Sequence, residues 1–130
     1  MTDQTTKDRF DKAMEVRRRV LGDAYVDSAE KTKTDFDKPY QDLITDAAWG
    51  HVWCRDEIPL REKSMVVLSI LAALGRWEEF ELHIRTTANT GASAEDIREV
   101  LLLLTIYGGV PAANTAMKIA KATLKEMGKI

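Results

Sequence analysis

Residues 73–91 read ALGRWEEFELHIRTTANTG, and their spacing predicts a helix bounded by Gly75 and Gly91. Phe80, Ile84 and Ala88 recur every four residues, the repeat that lines one helix face with apolar groups. Arg76, Glu79 and His83 follow one another at offsets of three and four, so the same helix carries a guanidinium, a carboxylate and an imidazole in a row. His83 borders the apolar stripe, which turns that row partly inward. Two readings stand. In one, the row is a solvated edge tied by local ion pairs worth about 0.2–0.5 kcal/mol each. In the other it is a site, where Glu79 fixes the tautomer of His83 and raises its pKa, as a general acid near neutral pH requires.

The same periodicity runs outward in both directions. Upstream, Leu60, Met65, Val66, Val67, Leu68, Ile70, Leu71 and Leu74 follow Pro59 and predict a central buried helix, apolar nearly all round. Arg61 and Lys63 at its start oppose the helix dipole unless an anion sits beside them, a mild hint of a site. Downstream, Ser93 and Asp96 form a capping box for a helix through Ile97, Val100, Leu101, Leu104 and Tyr107. Leu102, Leu103 and Ile106 give that helix a second apolar face, more than a small monomer covers, and predict a helix–helix contact between subunits. Gly108-Gly109 and Pro111 then break the chain before a last helix with Ala113, Ala116, Met117, Ala120 and Leu124 in register.

Toward the N-terminus, Thr5 or Thr6 is expected to cap a first helix carrying Phe10, Ala13, Met14, Val20 and Leu21, stopped by Gly22. Arg17, Arg18 and Arg19 are expected to face water or a neighbouring subunit. Residues 23–38 read as a loop with one short helix. Pro39 opens a helix through Tyr40, Leu43, Ile44, Ala47, Ala48 and Val52 that ends near Trp53. No stretch alternates with a period of two, so the fold class is all-α: about six helices with short connections.

With 130 residues the chain suits one domain, residues 1–130. A net charge of −2, with both signs interspersed, offers no basic field, so no nucleic-acid partner is expected. The polar N-terminus lacks a signal-peptide core, and the longest apolar run, 65–74, falls short of the roughly 20 residues that span a bilayer. No membrane partner and a cytoplasmic location are the expectations. The single cysteine, Cys54, excludes an intrachain disulfide or dithiol, and no metal-ligand spacing is present, so neither a metal site nor a cofactor motif is predicted.

One further cluster stands out. Trp49, Gly50, His51, Val52 and Trp53 place two indoles four residues apart, either as a core aromatic pair or as a ligand platform. His51 points in another direction from the rings, toward solvent or into a cavity.

Seven blocks together resemble the carboxymuconolactone decarboxylase family: EVRRRVLGDAYV (15–26), AAWGHVW (47–53), REKS (61–64), ALGR (73–76), ELHIR (81–85), NTGASAEDIREVLLL (89–103) and YGGVPAANTAM (107–117). The patterns W-G-x-x-W, A-L-G-R…H and G-x-P-A-A-N are specific to the decarboxylase branch. The wider superfamily holds alkylhydroperoxidase D-type peroxidases, which use a C-x-x-C pair; Glu79, four residues before the histidine, stands where the second of those cysteines would be. Three positions depart from the family pattern: His51 replaces the carboxylate of W-G-E-x-W, Trp77 is bulky, and Gly108 follows the tyrosine.

The resemblance implies an alkylhydroperoxidase D-like helical fold, a ring-shaped homohexamer, and cofactor-free decarboxylation of 4-carboxymuconolactone, or a related lactone or keto acid, in the catabolism of aromatic compounds such as protocatechuate. The partner it implies is a small carboxylate substrate. On that reading His83 is the acid, Glu79 orients it, and His51 shares or replaces its role. Arg76 or Arg85 holds a substrate carboxylate, with Arg61 the weaker candidate, and Trp49 and Trp53 supply apolar walls. The competing classes are a thiol peroxidase working through Cys54 and a non-catalytic helical assembly protein.

Overall fold

Helix-forming periodicity dominates the outcome. The computed structural model describes residues 2–130, with side chains from Thr5 onward, and among these it shows seven α-helices, one π-helical segment and no strand. The chain is thus all-α, and it divides into two compact units, residues 1–58 and 59–130.

In the first unit, α1 (Thr2–Leu21) and α2 (Asp23–Thr32) meet at Gly22, whose φ of 91° makes the corner that a side chain would resist. Helix α1 is already under way at Thr5 and Thr6, so neither caps it. Segment 23–38, expected to be mostly loop, contains all ten residues of α2, anchored by the buried Val26. The structure also corrects the expectation for Arg17: it is buried, 3.0 Å from Glu30, and Glu30 is in turn 2.8 Å from Lys33. Burial of that cation is sustained by its carboxylate partner. Arg18 bridges Asp23 and Asp27 at the surface.

Helix α3 (Lys38–Ile44) carries Pro39 in its first turn and runs without a break into the π-helix Thr45–Trp53, which packs on α1. The widened turns place Trp49 in the interior and stack it on Trp53, with ring centroids 5.3 Å apart. Gly50 lies close to α1, since a Cβ there would stand 3.4 Å from the Cβ of the buried Ala13.

The second unit holds α4 (Leu60–Ala73), α5 (Trp77–Thr90), α6 (Ala94–Tyr107) and α7 (Val110–Glu126). Helix α4 touches the other three, as its central place in the sequence pattern predicts, yet only Ser64, Leu68 and Ala72 are buried on it. Val66, Ile70 and Leu74 face outward, because four helices cannot surround one of their own number on every side. The core joins Leu68 and Ala72 to Phe80, Ile84, Ile97, Leu101, Ala116 and Ala120. On α5 the buried stripe is Phe80, Ile84, Thr87 and Thr90; Ala88 is exposed, contrary to expectation. Gly91, with φ of 93°, ends α5 in the left-handed conformation, its N–H donating to the Thr87 carbonyl. The capping box at Ser93 and Asp96 forms in both directions. Helix α6 has the predicted two faces. Ile97, Val100, Leu101 and Leu104 are buried, whereas Leu103, Ile106 and Tyr107 are 63%, 75% and 87% exposed, Tyr107 leaving the core face on which it was placed.

Candidate active site

The row on α5 begins at Arg76, the residue that caps the helix without a side-chain bond to it. The Arg76 guanidinium is exposed and has no side-chain partner among the described residues. Glu79 is exposed on the first turn, and His83, one turn further along, is half-buried beside the fully buried Phe80 and Ile84. The Thr86 hydroxyl donates to the His83 carbonyl at 3.0 Å, securing the backbone there. Trp77 meets Phe80 edge to face, centroids 5.8 Å apart, so the bulky ring belongs to the core margin.

The electrostatics of His83 differ from the expectation. Burial pushes its pKa below the usual histidine value, and the negative charge of Glu79, which acts in the opposite direction, only partly offsets this. Glu79 therefore has the predicted sign of effect, but desolvation outweighs it, and His83 is neutral near pH 7.

The arginines separate clearly. Arg85 donates through one terminal nitrogen to Glu126 on α7 at 2.6 Å. Arg61 donates to Asp96 through both Nε, at 2.9 Å, and a terminal nitrogen, and to Glu62 at 3.0 Å. The anion missing from the start of α4 is thus supplied from the cap of α6, and the hint of a site there resolves into a helix-to-helix tie. Arg76 remains available.

In the first unit His51 is exposed on the π-helix, its Nε2 3.7 Å from Asp46 Oδ2, while Arg9 of α1 stands 3.6 Å from Asp46 Oδ1. Asp46 and Arg9 escaped the sequence reading. In an α-helix, positions five apart point about 140° from one another, so the spacing gave no sign of a pair. Arg9 and Asp46 also line a groove of about 520 Å³ with Lys7, Phe10, Lys38 and Asp42. The exposed Cys54 thiol donates to the Gly50 carbonyl at 3.0 Å. Among the described residues no group of three or more His, Cys, Asp or Glu side chains is placed to hold a metal ion.

An apolar cavity of about 480 Å³ between α4 and α6 is lined by Met65, Ile70, Val100, Leu103, Leu104 and Tyr107 among others, with no charged side chain. Its polar side chains are Ser69 and Tyr107, and no cation lines it to hold a carboxylate.

Residues 38–122 match the description of the carboxymuconolactone decarboxylase family. The chain is 36% identical over 120 residues to a 4-carboxymuconolactone decarboxylase of Acinetobacter baylyi, covering 92% of this chain and 90% of that protein. It is 35% identical over 125 residues to nitrosuccinic acid decarboxylase npaB of Metarhizium robertsii, covering 96% and 87%. A 4-carboxymuconolactone decarboxylase of Pseudomonas putida is 48% identical over 44 residues, 34% of this chain and 92% of that sequence. The chain belongs to the carboxymuconolactone decarboxylase family.

Proposed function

We propose that this chain is a carboxy-lyase that decarboxylates 4-carboxymuconolactone, or an acid of the same design, in the catabolism of aromatic compounds. The observation that carries the reading is the end-to-end similarity to decarboxylases, joined to an α5 face that keeps an unpaired arginine, a carboxylate and a half-buried imidazole in one row.

The chemistry requires no cofactor, because the substrate holds its own electron sink. In 4-carboxymuconolactone the bond from the ring carbon to its carboxylate breaks, and its electron pair moves through the ring double bond onto the lactone carbonyl. CO2 leaves, and a proton delivered to the carbon beside that carbonyl gives the enol-lactone of 3-oxoadipate. Nitrosuccinic acid has the same plan: a carboxyl on a carbon that bears a π-acceptor, and a CH2-carboxylate next to it. The shared design is a succinate skeleton with an electron-withdrawing group on the carbon that loses CO2.

On this reading Arg76 grips the carboxylate that stays, through two parallel N–H donors. His83 supplies the proton. It is neutral in the free protein, and a dianionic substrate beside it favours the imidazolium, so the proton arrives with the substrate and is discharged onto carbon after CO2 departs. Glu79 orients the ring. Trp49, largely buried, and Trp53 act as apolar support for the segment that carries His51. Arg85, engaged by Glu126, has the weaker claim to the substrate carboxylate.

The exposed second face of α6 supports assembly into a homo-oligomer, hexameric by family resemblance, because Leu103, Ile106 and Tyr107 present apolar surface that water penalises. The free, exposed Cys54 suits a reducing compartment such as the cytoplasm, and no helix among the described residues is long and apolar enough to cross a membrane. The test is direct. Purified protein is mixed with 4-carboxymuconolactone and, separately, with nitrosuccinate, and CO2 is measured against the spontaneous rate. Release from 4-carboxymuconolactone is expected, and none from either substrate overturns the reading.

A further inference from the structure

The block REKS (61–64) ends in a serine that the chemistry above leaves without a part. Ser64 is wholly buried on α4, and its Oγ has no hydrogen-bond partner among the described residues. A buried hydroxyl in that state is uncommon, because nothing compensates its lost hydration. Helical serines and threonines ordinarily avoid it by donating to a carbonyl one turn back. Ser69 of the same helix donates to Val66 at 2.7 Å, and on α5 Thr86 and Thr87 donate to His83 and Ile84 at 3.0 and 2.6 Å. Ser64 forgoes that bond although its burial makes the need greater. Its hydroxyl is kept for another group, as donor or as acceptor.

The hairpin of α4 and α5 brings one such group to the same level. Residues 74–76 fold α5 back against α4, and the core sets Leu68 and Ala72 with Phe80 and Ile84. Ser64 continues the stripe of Leu68 and Ala72 one turn further from the connection. It stands eleven residues before Gly75 and His83 eight after it, so about 4.5 Å of rise separates the two along the pair, within reach of an imidazole on its two rotatable bonds. The ring atom of His83 that faces the interior is Nδ1.

We infer that Ser64 is a positioning residue for His83: its hydroxyl oxygen accepts the Nδ1–H of the imidazolium that forms with substrate bound, which holds Nε2–H toward the carbon to be protonated. The inference rests on the decarboxylase reading for its catalytic part alone. Both nitrogens of an imidazolium are donors. The proton that reaches carbon leaves Nε2 while Nδ1 keeps its own, so one acceptor serves the ring before and after the transfer. Glu79, the one charge that acts on the ring, is exposed; it works from the solvent side and Ser64 from the core.

The experiment compares the wild type with Ser64→Ala and Thr90→Val by 15N NMR titration of His83, thermal unfolding and steady-state CO2 release from 4-carboxymuconolactone. Thr90 is the control: its Oγ1 is also buried without a partner among the described residues, but it lies two turns beyond His83. Ser64→Ala is expected to lower the NMR midpoint of His83, because the charged ring loses its acceptor. It should lower kcat at least about 10-fold with KM changed little, the size of a lost hydrogen bond to a charged group. Its Tm should be no lower than that of the wild type, since alanine removes a hydroxyl that the resting fold leaves unbonded. Thr90→Val should leave the midpoint and kcat unaltered. An unchanged His83 midpoint in Ser64→Ala overturns the inference, as does wild-type kcat in that variant or an equal fall of the midpoint in Thr90→Val. A Tm lowered by Ser64→Ala overturns it too, by assigning the hydroxyl a structural bond. If the wild type releases no CO2, the decarboxylase reading fails, while the NMR comparison still decides whether Ser64 serves His83.

Discussion

Arg61 near the start of α4 and Asp96 in the cap of α6 form a two-pronged ion pair, with Nε 2.9 Å from Oδ2. The same carboxylate accepts the Ser93 backbone N–H at 2.9 Å, so one side chain closes a helix cap and joins two helices. The Arg61 guanidinium foremost, then the Ser93 N–H, lowers the pKa of Asp96 from 3.8 to about 2. A depressed carboxylate pKa stabilises the fold fully above the unfolded value and loses that contribution as pH falls through the folded one. Thermal unfolding followed from pH 5 to pH 2 should therefore show a decline that Asp96→Asn flattens. An unchanged slope in the variant would separate Asp96 from acid stability.

His83 titrates in the opposite sense from the sequence expectation. Its imidazole should show an NMR midpoint below 6.5 in the free protein, and Glu79→Gln should lower it further by removing the one charge that raises it. The unfolded chain binds this proton first, so the contribution to stability is complete above pH 6.5 and fades as pH falls through the folded value. A midpoint at or above 6.5 would contradict the burial that the structure assigns to this side chain.

Much of the fold was legible because it rests on spacing. The turns at Gly75, Gly91 and Gly109 need positive φ, and each lies at a helix boundary where the pattern breaks. The capping box at Ser93 was readable residue by residue. What escaped was set by partners far along the chain or by unusual backbone. Arg17 reads as a surface cation until Glu30, thirteen residues on, is brought beside it. Arg85 reads as a free ligand for carboxylate until α7 delivers Glu126. The pairing of Asp46 with His51 depends on a π-turn, and local propensity carries no signal for one. For His83 the helix face was clear, but the balance between burial and the Glu79 charge follows from packing that the pattern alone does not weigh.

The two arginines once equal as substrate ligands should now behave differently. Arg76→Met is expected to lower kcat/KM about 10-fold or more, since a bidentate charged contact contributes about 1.5–3 kcal/mol. Arg85→Met should change kcat/KM by less than about threefold, its guanidinium being held by Glu126. Steady-state kinetics of both variants distinguish the roles, and a reversal of the order would move the carboxylate grip to Arg85.

Self-association should depend on the outer face of α6. Ile106→Asp places a charge where an apolar side chain is 75% exposed, so the folded helix tolerates it while a packed subunit contact does not. Sedimentation should show a smaller particle than wild type with helix content retained. An identical mass would locate the contact elsewhere.

The central claim is that the α5 row performs the decarboxylation, with His83 as the proton donor. The most direct measurement is CO2 release from 4-carboxymuconolactone by His83→Ala beside the wild type, with circular dichroism confirming that both are folded. The account predicts a fall in kcat of about 100-fold or more, the range that a positioned general acid supplies. Turnover within about twofold of the wild type would contradict it.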